Sequence, residues 1–194
     1  MEAANTIEII AATVGVIYLL LQYRASAWMW VFSLAMSLMY VYLNYVNGLY
    51  ANCVLQVVFS VMAVVGLIAW LRPPAGHTYG KAAQRPITSM PRRLLLPVVL
   101  VTLLLTAAGM AVLHMVGESQ MILFDGLTTA INLTGTWMLI RKYYQEWICW
   151  MIVDPLMCVM YALSGMWPSA VLYAFFSVVV VFGYLQWKKQ ALQS

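Results

Sequence analysis

The sequence predicts an all-α integral membrane protein of seven transmembrane helices, set as two parallel three-helix repeats around a lone linker helix. Three observations carry that prediction. Hydrophobic residues fill 64% of the 194 positions and charged residues only 8%, against about 25% charged in soluble domains, so there is too little polar material to clothe a water-facing surface. Seven apolar stretches approach the roughly 20 residues that cross a bilayer. An internal repeat relates the first third of the chain to the last.

The first span is placed at 5–22. Glu2 and Glu8 make its start acidic, without the basic region of a secretory signal, so no cleavable signal peptide is expected. Spans 2 and 3 follow at 26–47 and 49–71, completing a three-helix repeat over 5–71. Residues 72–93 carry prolines, glycines and half of the basic residues and read as a cytoplasmic loop. Span 4, 94–116, is nearly all Leu, Val, Ala and Thr with no Trp or Tyr, as suits a linker helix. Spans 5, 6 and 7, at 121–140, 146–165 and 167–187, form the second repeat over 121–187.

Charge fixes the orientation. All ten basic residues follow odd-numbered spans: Arg24 after the first; Arg72, Lys81, Arg85, Arg92 and Arg93 after the third; Arg141 and Lys142 after the fifth; Lys188 and Lys189 after the seventh. The opposite side carries the acids Glu118 and Asp125. By the positive-inside rule the N-terminus is outside and the C-terminus cytoplasmic, in a bacterial inner membrane. Six or eight spans would scatter these charges on both faces. The same distribution explains the net +4 without a nucleic-acid partner.

The repeat has a constant offset of 117, which sets Arg141 on Arg24 without a gap. The same offset sets Trp147 on Trp30, Gly165 on Gly48, Phe176-Ser177-Val178 on Phe59-Ser60-Val61, Gly183 on Gly66 and Trp187 on Trp70. Three spans per unit would invert a directly following copy. The additional span 4 restores parallel orientation.

Several chemistries are excluded. There is no phosphate-cradling glycine loop, no histidine cluster and no paired carboxylate at helical spacing, so neither a catalytic centre nor a cofactor or metal site is expected. His77 falls in the basic loop and His114 near the end of span 4. Cys53, Cys149 and Cys158 lie inside spans, odd in number and without ligand spacing, and read as small apolar residues.

Polar residues deep in spans point to a cavity, because each costs free energy in hydrocarbon. Asp154 is the sharpest: a central Asp costs about 2.5–3.5 kcal/mol on insertion scales, and Pro155 next to it frees a backbone carbonyl. A bond to a Ser or Asn of another helix would be its structural explanation. Trp147, Trp150 and Asp154 fall at i, i+3 and i+7, one helix face. Indoles beside a carboxylate suit a flat cation by stacking, cation–π attraction and ion pairing. Trp147 sits near a boundary where tryptophan belts also occur, as do Trp28, Trp30, Trp70 and Trp187, which read as belt or packing residues. Span 3 adds Asn52 and Gln56; Tyr40, Asn44, Asn132, Tyr173 and Ser177 complete the candidate substrate-binding set. Under the offset Gln56 matches Tyr173 and Ser37 matches Asp154, so equivalent faces of both repeats are polar.

At this point the segments become familiar. LYANCVLQVVFSVMAVVGLIAW, residues 49–70, resembles the "LYA…LQ…G…W" stretch of the Pnu vitamin transporter family, and RKYYQEWICWMIVD, residues 141–154, is similar to its "RKY.ENW..W...N". The resemblance covers nearly the whole chain apart from the loop and span 4. It implies a 3+1+3 fold like that of SWEET transporters, often a homotrimer, and facilitated diffusion of an unphosphorylated B-vitamin or precursor that a cytoplasmic kinase then traps. The binding positions it carries over are Gln56, Trp150, Asp154 and Tyr173. Riboside-transporting members usually have Asn at the positions of Asp154 and Ala63. Loss of both amides tilts the expected substrate from nicotinamide riboside toward thiamine, taken by sister members; both are cationic. A proton- or sodium-coupled permease is the nearest alternative, with Asp154 as proton carrier, and a membrane-embedded enzyme or a non-transporting scaffold the remote ones.

Overall fold

The computed structural model describes residues 2–46, 48–72, 85–117, 121–163 and 165–193, the side chains of 2–12 and 43 apart. The loop residues 73–84 (with His77 and Lys81), Glu118, and the Glu2 and Glu8 side chains therefore lie outside the described residues. The regular elements are helices: α1 Glu2–Tyr23, α2 Trp28–Val46, α3 Tyr50–Leu71, a 3₁₀ turn Arg92–Leu94, α4 Leu95–Val116, α5 Ile122–Ile140, α6 Glu146–Leu163 and α7 Trp167–Gln193. They follow the predicted spans within a few residues, except that α7 runs past 187 to Gln193.

Among the described residues, five segments are long and apolar enough to cross a bilayer: Trp28–Val46, Tyr50–Leu71, Arg92–Val116, Glu146–Leu163 and Trp167–Gln193. α5 falls outside that set because Asp125, Asn132 and its threonines lower its hydropathy. It is walled instead by protein, with buried residues from Gly126 to Ile140.

Packing follows a reciprocal pattern. α2 packs on α3 and α6 on α7; α1 packs on α2 and α7, while α5 packs on α6 and α3. The first helix of each triplet thus meets the last helix of the other. α4 lies against α5, where Gly109 and Gly126 allow close approach and the Thr102 and Thr134 hydroxyls meet at 2.8 Å.

Local features recur at the offset of 117. Ala25 and Lys142 share a left-handed backbone (φ 51° and 55°), as do Gly48 and Gly165 (φ 72° and 73°). The glycines turn the chain between α2 and α3 and between α6 and α7, where a side chain would be strained. Trp30 lies against Gly66 and Trp147 against Gly183, each ring within 2.6 Å of where a Cβ would stand.

These rings belong to a buried layer of four tryptophans. Trp30 meets Trp70 edge-on at 5.6 Å, Trp70 lies 6.4 Å from Trp187, and Trp187 meets Trp147 at 5.6 Å. Trp70 donates its indole N–H to the Leu139 carbonyl (3.2 Å) and Trp187 to that of Tyr23 (3.1 Å), so each triplet bonds the other. Burial shows these three belt candidates, Trp30, Trp70 and Trp187, to be core residues; Trp28 is 65% exposed.

The end of the basic loop is not merely solvated. Thr88 pairs with the α5–α6 turn, donating its N–H to the Lys142 carbonyl (3.0 Å) and accepting from Tyr144 N–H (3.2 Å). Ile87 and Met90 are buried beneath it.

Candidate functional site

Between the triplets lies a cavity of about 860 Å³. Six helix faces build its polar wall, beginning with Gln22 on α1, Ser37 and Tyr40 on α2, Gln56 on α3, and Asn132 and Thr136 on α5. α6 supplies Trp150, Asp154 and Tyr161, and α7 supplies Tyr173. Its far end reaches Met166 and Pro168, and the tryptophan layer lies between it and the basic end. Space of this size with an apolar lining and a few convergent polar groups is typical of small-molecule sites.

Asp154 is the only carboxylate on this wall, and no Lys, Arg or His joins it among the described residues. Repeat symmetry shows what is unusual about it. In the first triplet the matching residue Ser37 accepts from Ser60 Oγ at 3.0 Å. The matching hydroxyl in the second triplet, Ser177, keeps only the bond to its own helix, to the Tyr173 carbonyl (2.8 Å), that Ser60 also makes to Gln56 (2.9 Å). No described residue donates a hydrogen bond to the Asp154 carboxylate, which is left facing the cavity. The structural explanation for a buried Asp, a tie to a neighbouring Ser or Asn, is therefore not what is found. Around it stand aromatic rings, with Tyr161 and Tyr173 only 31° from parallel at 5.3 Å.

Of the ten candidate residues the cavity gathers Asp154, Trp150, Gln56, Tyr173, Tyr40 and Asn132. Four are corrected. Trp147 shares the predicted face of α6 but is fully buried one turn below the cavity, because Gly183 opens a slot for its ring. Ser177 turns back to its own helix. Asn52 and Asn44 lie on α3 and α2 away from the cavity lining. Ala63, where riboside-transporting relatives are expected to carry an amide, is buried in the core and does not reach the cavity either.

Residues 5–189 match the profile described as the nicotinamide mononucleotide transporter. The chain belongs to that transporter family. A relative from Neisseria mucosa, described as the nicotinamide riboside transporter PnuC, is 23% identical over 189 residues, spanning 93% of this chain and 71% of the relative. The crystal structure of the vitamin B3 transporter PnuC superposes with a TM-score of 0.75 at 21% identity, over 96% of this chain and 82% of that one. Membership makes the chain a multi-pass membrane transporter and not an enzyme, in agreement with the sequence reading.

Sequence reasoning missed Gln22, Tyr161 and Glu146. Gln22 and Tyr161 reach the cavity from near the ends of α1 and α6. Glu146 lies behind the wall, fully buried. In sequence it lies four residues after the basic Lys142, at the start of α6. A signal existed in the spacing Glu146–Trp150–Asp154, three residues one turn apart.

Proposed function

We propose that this transporter takes up an unphosphorylated B-vitamin or precursor that is flat, aromatic and positively charged, by facilitated diffusion. The observation that carries the reading is the Asp154 carboxylate, facing a cavity with aromatic walls and no cation of the protein's own. A cation entering there gains an ion pair and ring contacts. The curated relative's name supports nicotinamide riboside. Ionised Asp154 accepts hydrogen bonds but cannot donate to a carboxamide oxygen, so thiamine, with its cationic ring and aminopyrimidine donors, fits this wall better.

In this reading the basic end is cytoplasmic, the N-terminus is outside, and the membrane is the bacterial inner membrane, by the positive-inside rule. The helices form 3+1+3 parallel repeats that rock about the midplane site. A cytoplasmic kinase traps the product and the protein works as a homotrimer; both follow from family resemblance.

The test is calorimetry with thiamine and nicotinamide riboside on wild type and Asp154→Asn. Thiamine should bind the wild type and lose at least about tenfold in the variant, the scale of a lost charged contact. Nicotinamide riboside binding that Asp154→Asn keeps or improves would sink the carboxylate reading and return the chain to the riboside transporters.

A further inference from the structure

We propose that Glu146 is a positioning residue: from behind the cavity wall it fixes the orientation of the Trp150 ring on which the transported molecule stacks. This rests on the cavity being the transport site. Glu146 opens α6, is 0% exposed and does not line the cavity. One turn further, Trp150 lines the cavity and donates its indole N–H to Glu146 Oε2. From α1, Gln22, itself only 2% exposed, donates Nε2 to both carboxylate oxygens at 3.2 and 3.1 Å. The carboxylate is thus clamped between an amide of one triplet and an indole of the other.

No cation accounts for it. Lys142, one turn earlier in sequence, sends its ammonium over the Trp70 ring at 4.3 Å instead, and no ion pair to Glu146 occurs among the described residues. A buried carboxylate without a cationic partner is costly. Nor does packing demand an acid here, since Met29 fills the equivalent place in the first triplet, equally buried. What Glu146 supplies and a methionine cannot is an acceptor. The chain does not provide one for every buried indole: the N–H groups of Trp30 and Trp147 have no partner among the described residues, and those rings are held by packing over glycines. Among the tryptophans of these two triplets, the one ring on the cavity wall is the one given a charged acceptor. A hydrogen bond at its edge fixes the plane of a ring whose face must stay open for a ligand.

The test measures Kd for thiamine and nicotinamide riboside by calorimetry in Glu146→Gln, Glu146→Met, Trp150→Phe and the Glu146→Met/Trp150→Phe double variant, each checked by thermal unfolding. Glu146→Gln keeps an acceptor oxygen and should bind within about threefold of wild type. Glu146→Met should bind about tenfold more weakly. Phenylalanine has no N–H, so in the Trp150→Phe background Glu146→Met should change Kd by less than about twofold. Equal losses in the Gln and Met variants, or a Met loss that adds in full to Trp150→Phe, would overturn the proposal in favour of a structural role. If Glu146→Met does not fold, Glu146→Asp, which withdraws the acceptor by one methylene, replaces it with the same expectation. If Trp150→Phe binds too weakly to read, the Gln–Met comparison decides alone. Binding of both probes unchanged in Trp150→Phe and in Asp154→Asn would remove the transport-site reading itself, and this proposal with it.

Discussion

Asp154 and Lys142 show how the same offset assigns different work to matched positions. In the first triplet Ser60 Oγ reaches Ser37 as well as its own helix, whereas in the second Asp154 replaces the first hydroxyl and Ser177 keeps only the own-helix bond. The departure from symmetry produces the charge in the cavity. Lys142, matched to Ala25, keeps the left-handed backbone of the turn but buries an amine, 2% exposed. Burial first, and repulsion from Arg85 second, lower its pKa to about 8 from the usual 10.5. The folded chain therefore holds this proton less tightly than the unfolded one. The cost of the charge is fully present below pH 8 and fades as pH rises toward 10.5, so this group makes the protein more stable across that window. Melting temperatures of wild type and Lys142→Met in detergent should move in favour of wild type between pH 8 and 10.5. A gap that stays constant with pH would show that Lys142 titrates elsewhere.

Helix pairing depends on slots cut by single glycines. A Cβ on Gly66 would stand 2.5 Å from the Trp30 ring, and one on Gly183 2.6 Å from Trp147. An indole wedged in a packed layer has nowhere to retreat without disturbing Trp70 or Trp187. Gly66→Ala and Gly183→Ala should each lower stability by about 1–3 kcal/mol, the usual cost of overpacking, read from thermal or denaturant unfolding. Melting temperatures equal to wild type would mean that the rings have room the structure does not show. These slots were partly legible, since Trp and Gly recur together at the offset. Which Gly faces which Trp was not, because the partners lie 36 residues apart (Gly66 against Trp30) on different helices.

Across the molecule, each triplet holds the other by its first helix. α1 packs on α7 and α5 on α3, and the Trp70 and Trp187 indoles reach across to Leu139 and Tyr23. The tryptophan layer packs at the basic end, and the cavity lies beyond it. Under the proposed rocking of the repeats the triplets shift relative to one another, with these cross-triplet bonds exchanged for others. Uptake of radiolabelled thiamine into proteoliposomes should saturate, proceed without ATP and stop at equal concentrations inside and out. Accumulation above the outside level when a proton or sodium gradient is imposed would replace facilitated diffusion by coupled transport, with Asp154 as the first group to examine.

Sequence alone determined the membrane class, the helix order, the 117-residue offset and the presence of a carboxylate deep in a span, where it needs either a cavity or a polar partner. Composition and spacing suffice for these, because hydrocarbon penalises polar groups by depth and a helix repeats its faces every 3.6 residues. It could not tell which residues on a favoured face reach the cavity. Trp147 and Trp150 are neighbours on one face of α6, yet one fills the Gly183 slot and the other walls the cavity. Nor could it separate Glu146, buried and bonded to Gln22, from a boundary acid. Those assignments depend on what a second helix places opposite each side chain, and only the packing of α7 against α6 and the reach of Gln22 from α1 decide that.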